Sequence, residues 1–230
     1  MRITPEFSSC RIVLFGKFKP EIFAPHWLEG CGIFTSDQAD DAEIETVQHD
    51  YTSFKMDWLK LTVDQRRFTV EARQLPYGRL GDFALQIFNS FLPTTPIGAF
   101  GINRVVHFDA GSHESRERIL DLLAPKAAWG EWSNDLEGEH GSESGGMFSL
   151  EMIQKGISDR PLGYVRARVQ PSSQLNEGKT GIYMEVNDHF EVENAAKVGD
   201  CVSVMTLLQD NMDDALKRGE WIIDQVMALK

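Results

Sequence analysis

The sequence lacks a cysteine framework. Its three cysteines, Cys10, Cys31 and Cys201, lie far apart. None forms a CxxC pair, and none stands near a histidine at zinc spacing. A disulfide scaffold and a structural zinc site are excluded, and unpaired thiols predict a reducing, cytoplasmic setting. Long hydrophobic runs are missing as well. No window approaches the roughly 20 apolar residues that span a bilayer. The N-terminal MRITPEFSSCR shows no apolar leader, so no membrane partner is expected. Positive charge is scarce: 23 Lys and Arg stand against 35 Asp and Glu, for a net charge of -12. An acidic surface is repelled by phosphate backbones and disfavours nucleic acid.

Catalytic and cofactor motifs are also absent. The glycine stretches GCG (30–32) and GSESGG (141–146) do not link a strand to a helix at phosphate-loop spacing. No GxSxG nucleophile elbow occurs. No cofactor is expected. The run His107, Asp109, His113, Glu114 offers metal-ligating groups, but it straddles a strand end and a helix start rather than one helix face. His189 lies in a second such cluster, NDHFE (187–191). The carboxylates of 130–144 lack the alternation of a calcium loop. No metal site is expected.

What is present is a strong periodicity. CRIVLFGKFKP (10–20) reads as a strand ended by Pro20, and FAPHWLEGCGIF (23–34) as a short helix. Over 43–74, Phe54, Met56 and Trp58, then Leu59, Leu61 and Val63, then Phe68, Val70 and Ala72 alternate with polar residues. Period two predicts sheet with one buried face. Leu80, Phe83, Ala84, Ile87, Phe88 and Phe91 recur at three and four, predicting a helix over 77–93. A strand over 99–109, a helix over 111–129 and an exposed loop over 130–146 follow. Strands over 147–155, 163–171 and 181–193 and a long helix over 202–230 complete the chain.

A chain of 230 residues with 42% hydrophobic content buries its own core and is expected to be a single domain, 1–230. Its halves, 10–93 and 99–230, repeat one order: strand, short helix, strands, long helix. The expected fold class is α+β: a two-layer, largely antiparallel sheet with two long helices on one face, pseudo-duplicated. That layout resembles the TATA-binding-protein fold, in layout only. Exposed edges of such a sheet would invite a homodimer.

The strand AFGINRVVHFD (99–109) holds polar groups among strand formers. By strand parity Ile102, Arg104, Val106 and Phe108 share one face, and Asn103, Val105 and His107 the other. Arg104, alone among apolar groups, must reach a carboxylate or the strand end. His107 is expected to face either His189 or water. Tyr164, Arg166 and Arg168 share a strand face, and with Arg104 and Arg73 they would form a basic strip. Pairing with Glu151, Glu71 or Glu185 would neutralise it. The candidate functional residues are Asn103, Arg104, His107, His189, Arg166 and Arg168.

GINRVVHF (101–108), LAPKAAW (123–129) and VNDHFE (186–191) stand in this order. In these segments the chain resembles a sporadically distributed bacterial family of uncharacterised proteins with GINRxxHF, LAPKxxW and VNDH[FY]E. The family carries no activity to transfer. Its patchy distribution implies an accessory role in mobile or defence-linked gene cassettes. The expected function is a non-enzymatic accessory subunit that docks on another protein. One alternative is an enzyme with a histidine-based site near His107 and His189. The other is a nucleic-acid binder using the arginine strip, or a DNA mimic using the acidic surface.

Overall fold

Among the described residues the period-two stretches become nine strands. They are β1 (Phe7–Gly16), β2 (Glu43–Val47), β3 (Tyr51–Lys55), β4 (Lys60–Asp64), β5 (Arg67–Ala72), β6 (Ile97–Asp109), β7 (Leu150–Gln154), β8 (Tyr164–Ser172) and β9 (Gly181–Glu191). The computed structural model describes residues 3–136, 145–158, 160, 162–193 and 201–230. These strands join one antiparallel sheet in the order β2-β3-β4-β5-β1-β6-β9-β8-β7. The protein is therefore α+β, with a large antiparallel sheet and a few helices. β1 and β6 pair with each other at its centre over ten residue positions.

The helices of the described residues are α1 (Pro25–Gly30), α2 (Ser36–Asp40), α3 (Gly78–Gln86), α4 (His113–Leu123), α5 (Trp132–Leu136) and α6 (Val202–Met227). Pro25 opens α1, where its missing N–H is not needed. Thr35 caps α2 with a full capping box to Gln38, and Ser112 caps α4 through the Ser115 N–H at 3.0 Å.

Several boundaries differ from those the periodicity predicts. The alternation over 43–74 is cut into four strands. A turn at Met56–Leu59 takes Trp58 out of the sheet, where the Arg79 guanidinium covers its ring at 4.4 Å. Within 77–93, α3 gives way to a π-helical turn over Ile87–Phe91. The expected helix over 111–129 stops at Leu123, because Pro125 forces Ala124 out of the helical region, and a short 3-10 turn follows over Lys126–Trp129. Part of the expected loop over 130–146 is helix α5; its segment 137–144 lies outside the described residues.

Strand parity divides the sheet into two faces. Cys10, Ile12 and Leu14 of β1 lie level with Ala72, Val70 and Phe68 of β5 and with Arg104, Ile102 and Phe100 of β6. This face feeds both apolar clusters. The larger joins β1, β4, β5 and β6 to α3 and the first half of α6, and the smaller joins Val106, Phe108, Ile182, Met184 and Val186 to Ile119, Ile223 and Met227. Ser9, Arg11, Asn103, Val105 and His107 point the other way and belong to neither cluster. Among the described residues no helix is long and apolar enough to cross a membrane.

Candidate functional site

The six candidate residues separate onto the two faces of the sheet. Arg104 lies on the helix-bearing face and is 2% exposed. Its guanidinium donates to the Ser9 carbonyl at 2.8 Å, the Val105 carbonyl at 3.1 Å and the Ser8 hydroxyl at 2.8 Å. It lies over the Tyr77 ring at 4.7 Å, and Tyr77 in turn bonds Ser8 at 2.9 Å. Its Nε stands 3.6 Å from the Glu220 carboxylate on α6. The helix comes this close because residue 219 is glycine: a Cβ there would meet the Arg104 Cβ at 3.0 Å. Arg104 is thus a clamp between β1, β6, the entry to α3 and α6. It does not join Arg166 and Arg168, which point from the opposite face.

A second buried ion faces the same way. Asp188 of β9 continues the apolar series Ile182, Met184 and Val186, and is 2% exposed. Arg160 binds one of its oxygens, and Arg218 of α6 donates to the other at 2.8 Å. The Arg160 guanidinium also covers the Phe190 ring at 4.1 Å. Asp188 and its neighbour His189 therefore lie on opposite faces. The sequence signal was available: an aspartate in the apolar register of a strand requires a cation, by the same logic that applies to Arg104.

The other face carries Asn103, His107, His189, Arg166 and Arg168. One row runs Glu71, Arg11, Asn103, Asn187, Arg166 across β5, β1, β6, β9 and β8. Its ends are ion pairs. Arg11 donates to Glu71 at 3.0 Å, and Arg166 donates to Glu185 at 3.0 Å. In the next row Arg168 donates to Glu151 at 2.6 Å. Asn103 is buried and donates to the Arg11 and Gly101 carbonyls at 3.4 Å. Each arginine of the expected strip on this face thus has a carboxylate. Arg73 is the most open to solvent, 3.9 Å from Glu71.

His107 and His189 share this face but not a site. In the β6–β9 register His107 faces Tyr183 and His189 faces Gly101. They are six strand positions apart, about 20 Å along the sheet. His107 is buried between Tyr183 and Phe7, with Nδ1 at 2.7 Å from the Ser172 hydroxyl. Ser172 also accepts the Gln174 N–H at 3.1 Å. His189 stacks on Tyr164 with centroids 4.6 Å apart and meets Phe15 edge-on. Tyr183 donates to Glu185 at 2.8 Å, and burial, then the Glu185 charge, push its phenol above the usual range.

Burial lowers the pKa of both histidines. The native state then resists a proton that the unfolded chain accepts. Their contribution to stability is full above the unfolded value of about 6.5. It is lost as pH falls through the depressed native values. Thermal melts between pH 7.5 and 5 are expected to show this acid-side loss, and His107→Gln is expected to flatten it. A profile of unchanged steepness in that variant would remove His107 from the account.

A depression of about 400 Å³ opens beside His107. His107 and Tyr183 form one wall, Arg11, Glu71 and Arg73 the other, with Val105 and Ser9 at the floor. The metal-like run does not converge. Asp109 is bonded to the Gly111 N–H and Asn176, and His113 begins α4 beside Glu117 at 4.0 Å. Among the described residues no group of three or more His, Cys, Asp or Glu is placed to hold a metal ion. Cys10 and Cys201 are buried, and burial pushes the Cys10 thiol up to about 12, away from nucleophilic use. Sequence reasoning missed Ser172 and the Arg11–Glu71 pair, whose roles depend on strands far apart in the chain. No protein-family model matches this sequence, and no curated protein matches it.

Proposed function

We propose that this chain is a non-enzymatic accessory subunit that docks a partner protein on the sheet face carrying Arg11, Asn103 and Arg166. One observation carries the reading. On a chain of net charge -12, that face is built from internally neutralised pairs, Arg11–Glu71, Arg166–Glu185 and Arg168–Glu151. Their geometry is set before any partner arrives, which lowers the ordering cost of association. A phosphate backbone would need unpaired cations instead, so the same pairs weigh against nucleic acid.

The strand order supports a pseudo-duplicated, two-layer reading of the fold. About the central β1–β6 pair, each half places its first strand innermost and its last strand beside it: β5 next to β1, and β9 next to β6. A helix then follows, α3 in one half and α6 in the other. We read 10–93 and 99–230 as the two halves of a layout like that of the TATA-binding protein. Membership of the bacterial family with GINRxxHF, LAPKxxW and VNDH[FY]E, and with it a mobile or defence-linked setting, rests on residues 101–108, 123–129 and 186–191.

A tagged chain expressed in its native host is expected to recover a stoichiometric partner. Phe7 and Arg73 are exposed on the rim of the depression. Phe7→Ala with Arg73→Glu is expected to reduce recovery at least tenfold, the loss of about 1.4 kcal/mol of binding. The chain recovered alone, or equal recovery by the double variant, would sink this reading. A hydrolase reading has one observation in its favour, the 2.7 Å contact of His107 with Ser172. It predicts covalent labelling of Ser172 by a fluorophosphonate, abolished in His107→Gln. An unlabelled native protein dismisses it.

A further inference from the structure

Among the described residues the sheet ends in two edges, β2 and β7, which differ in protection. β2 carries Glu43 and Glu45, and its register shifts between Ile44 and Thr46. Charges and a bulge both deter strand addition. β7, LEMIQ, has no bulge and no charge free of a partner on its own sheet. It pairs with β8 in unbroken register. Its single charge, Glu151, is held by Arg168 at 2.6 Å with Arg166 at 3.9 Å. Met152 and Ile153, one on each face, are 66% and 52% exposed. Beside Met152 lies an apolar hollow of about 230 Å³, lined by Leu150, Ala167, Val226 and the 63% exposed Trp221.

We propose that β7 pairs antiparallel with β7 of a second copy, about a two-fold axis through Met152, so that the sheet runs on across both copies. A two-fold axis normal to the sheet keeps like faces together, so one residue must lie opposite its own copy. With Met152 on the axis, Leu150 faces Gln154, Glu151 faces Ile153, and all five strand residues are paired. Centring on Glu151 would oppose two carboxylates. Centring on any other residue leaves part of the strand unpaired. The Met152 register also brings two exposed methionines together beside the two Trp221 hollows, where each covers apolar surface of the other. A second copy is the fitting occupant because one two-fold contact pairs the whole edge strand and covers the exposed Met152 and Trp221 of both copies together.

Light scattering on a sizing column, over protein concentrations of about 1 to 100 µM, is expected to show the mass rising from 26.0 kDa towards twice that value. Added salt should strengthen the dimer, because it screens two copies of the same negative charge. Met152→Lys is expected to hold the chain at the single-copy mass, and Ile44→Lys on β2 to leave the dimer unchanged. Register is read by cross-linking in a Cys31→Ser background under copper phenanthroline. Facing Cα atoms about 4.5–5.5 Å apart fall within disulfide reach. Met152→Cys should then link two copies, and Gln154→Cys should not. A single-copy mass at every concentration, a dimer that survives Met152→Lys, or cross-linking at 154 in preference to 152 would each overturn the proposal.

Discussion

Asp188→Ala is expected to lower stability by about 3–5 kcal/mol, the usual cost of stripping one partner from a buried ion pair. For a chain of this size that is roughly a 10 °C fall in Tm. The reason is local. Asp188 is the shared anion between Arg160, itself 4% exposed, and Arg218 of α6. Without it, Arg218 loses the carboxylate that ties α6 to β9, and Arg160 loses the oxygen that ties it to the same strand. Asp188→Asn should cost less, since the amide oxygen keeps one acceptor. A triple replacement, Asp188→Leu with Arg160→Met and Arg218→Leu, should recover much of the loss, because an apolar set carries no desolvation penalty. Differential scanning calorimetry measures all three. A Tm for Asp188→Ala within about 2 °C of the parent would show that this cluster does not hold α6 to the sheet.

Arg104→Met is expected to cost about 2–4 kcal/mol, and Arg104→Lys to rescue less than half of it. Three acceptors surround the guanidinium: the carbonyls of Ser9 and Val105 and the Ser8 hydroxyl. Each bond to a charged group is worth about 1.5–3 kcal/mol, partly offset by the cost of burying the charge. A lysine ammonium is a compact donor on a flexible stem and cannot reproduce a planar fork spread over two strands. The ion pair to Glu220 contributes far less. That carboxylate is 39% exposed, so Glu220→Gln should change stability by under about 1 kcal/mol. Urea unfolding of the three variants separates the two effects. If Glu220→Gln were as damaging as Arg104→Met, the clamp would be the ion pair and not the hydrogen-bonded fork.

These two clusters show where local reasoning stops. Parity along 99–109 is enough to place Arg104 with Ile102 and Val106, and Asn103 with His107. That follows from the pleat, which depends only on neighbours in the chain. The same property made the strands of 43–74 legible, as the spacing of three and four made α3 legible. It failed at Met56–Leu59, where the alternation of Phe54, Met56 and Trp58 runs on into a turn and changes phase at Leu59, and Trp58 leaves the sheet to lie under Arg79. It also could not place the expected basic strip. Arg104 and Arg166 look equivalent as arginines in strands, but one lies under α6 and the other lies on the opposite face beside Glu185.

Composition and periodicity suffice for the class of the fold, the strands and long helices, the acidic charge balance, and the need of Arg104 for partners. Each of these is a property of the whole chain's residue content or of a repeat along one segment. The identity of the partners comes from packing in three dimensions. Arg104 meets Ser8, Ser9 and Glu220, Asp188 is held by Arg160 and Arg218, and His107 meets Ser172 about 20 Å along the sheet from His189. Those pairings join residues up to 116 positions apart, as between Arg104 and Glu220. They are fixed by the register between strands and by the close approach of α6 to Arg104 at Gly219, neither of which is written in the periodicity of any one element.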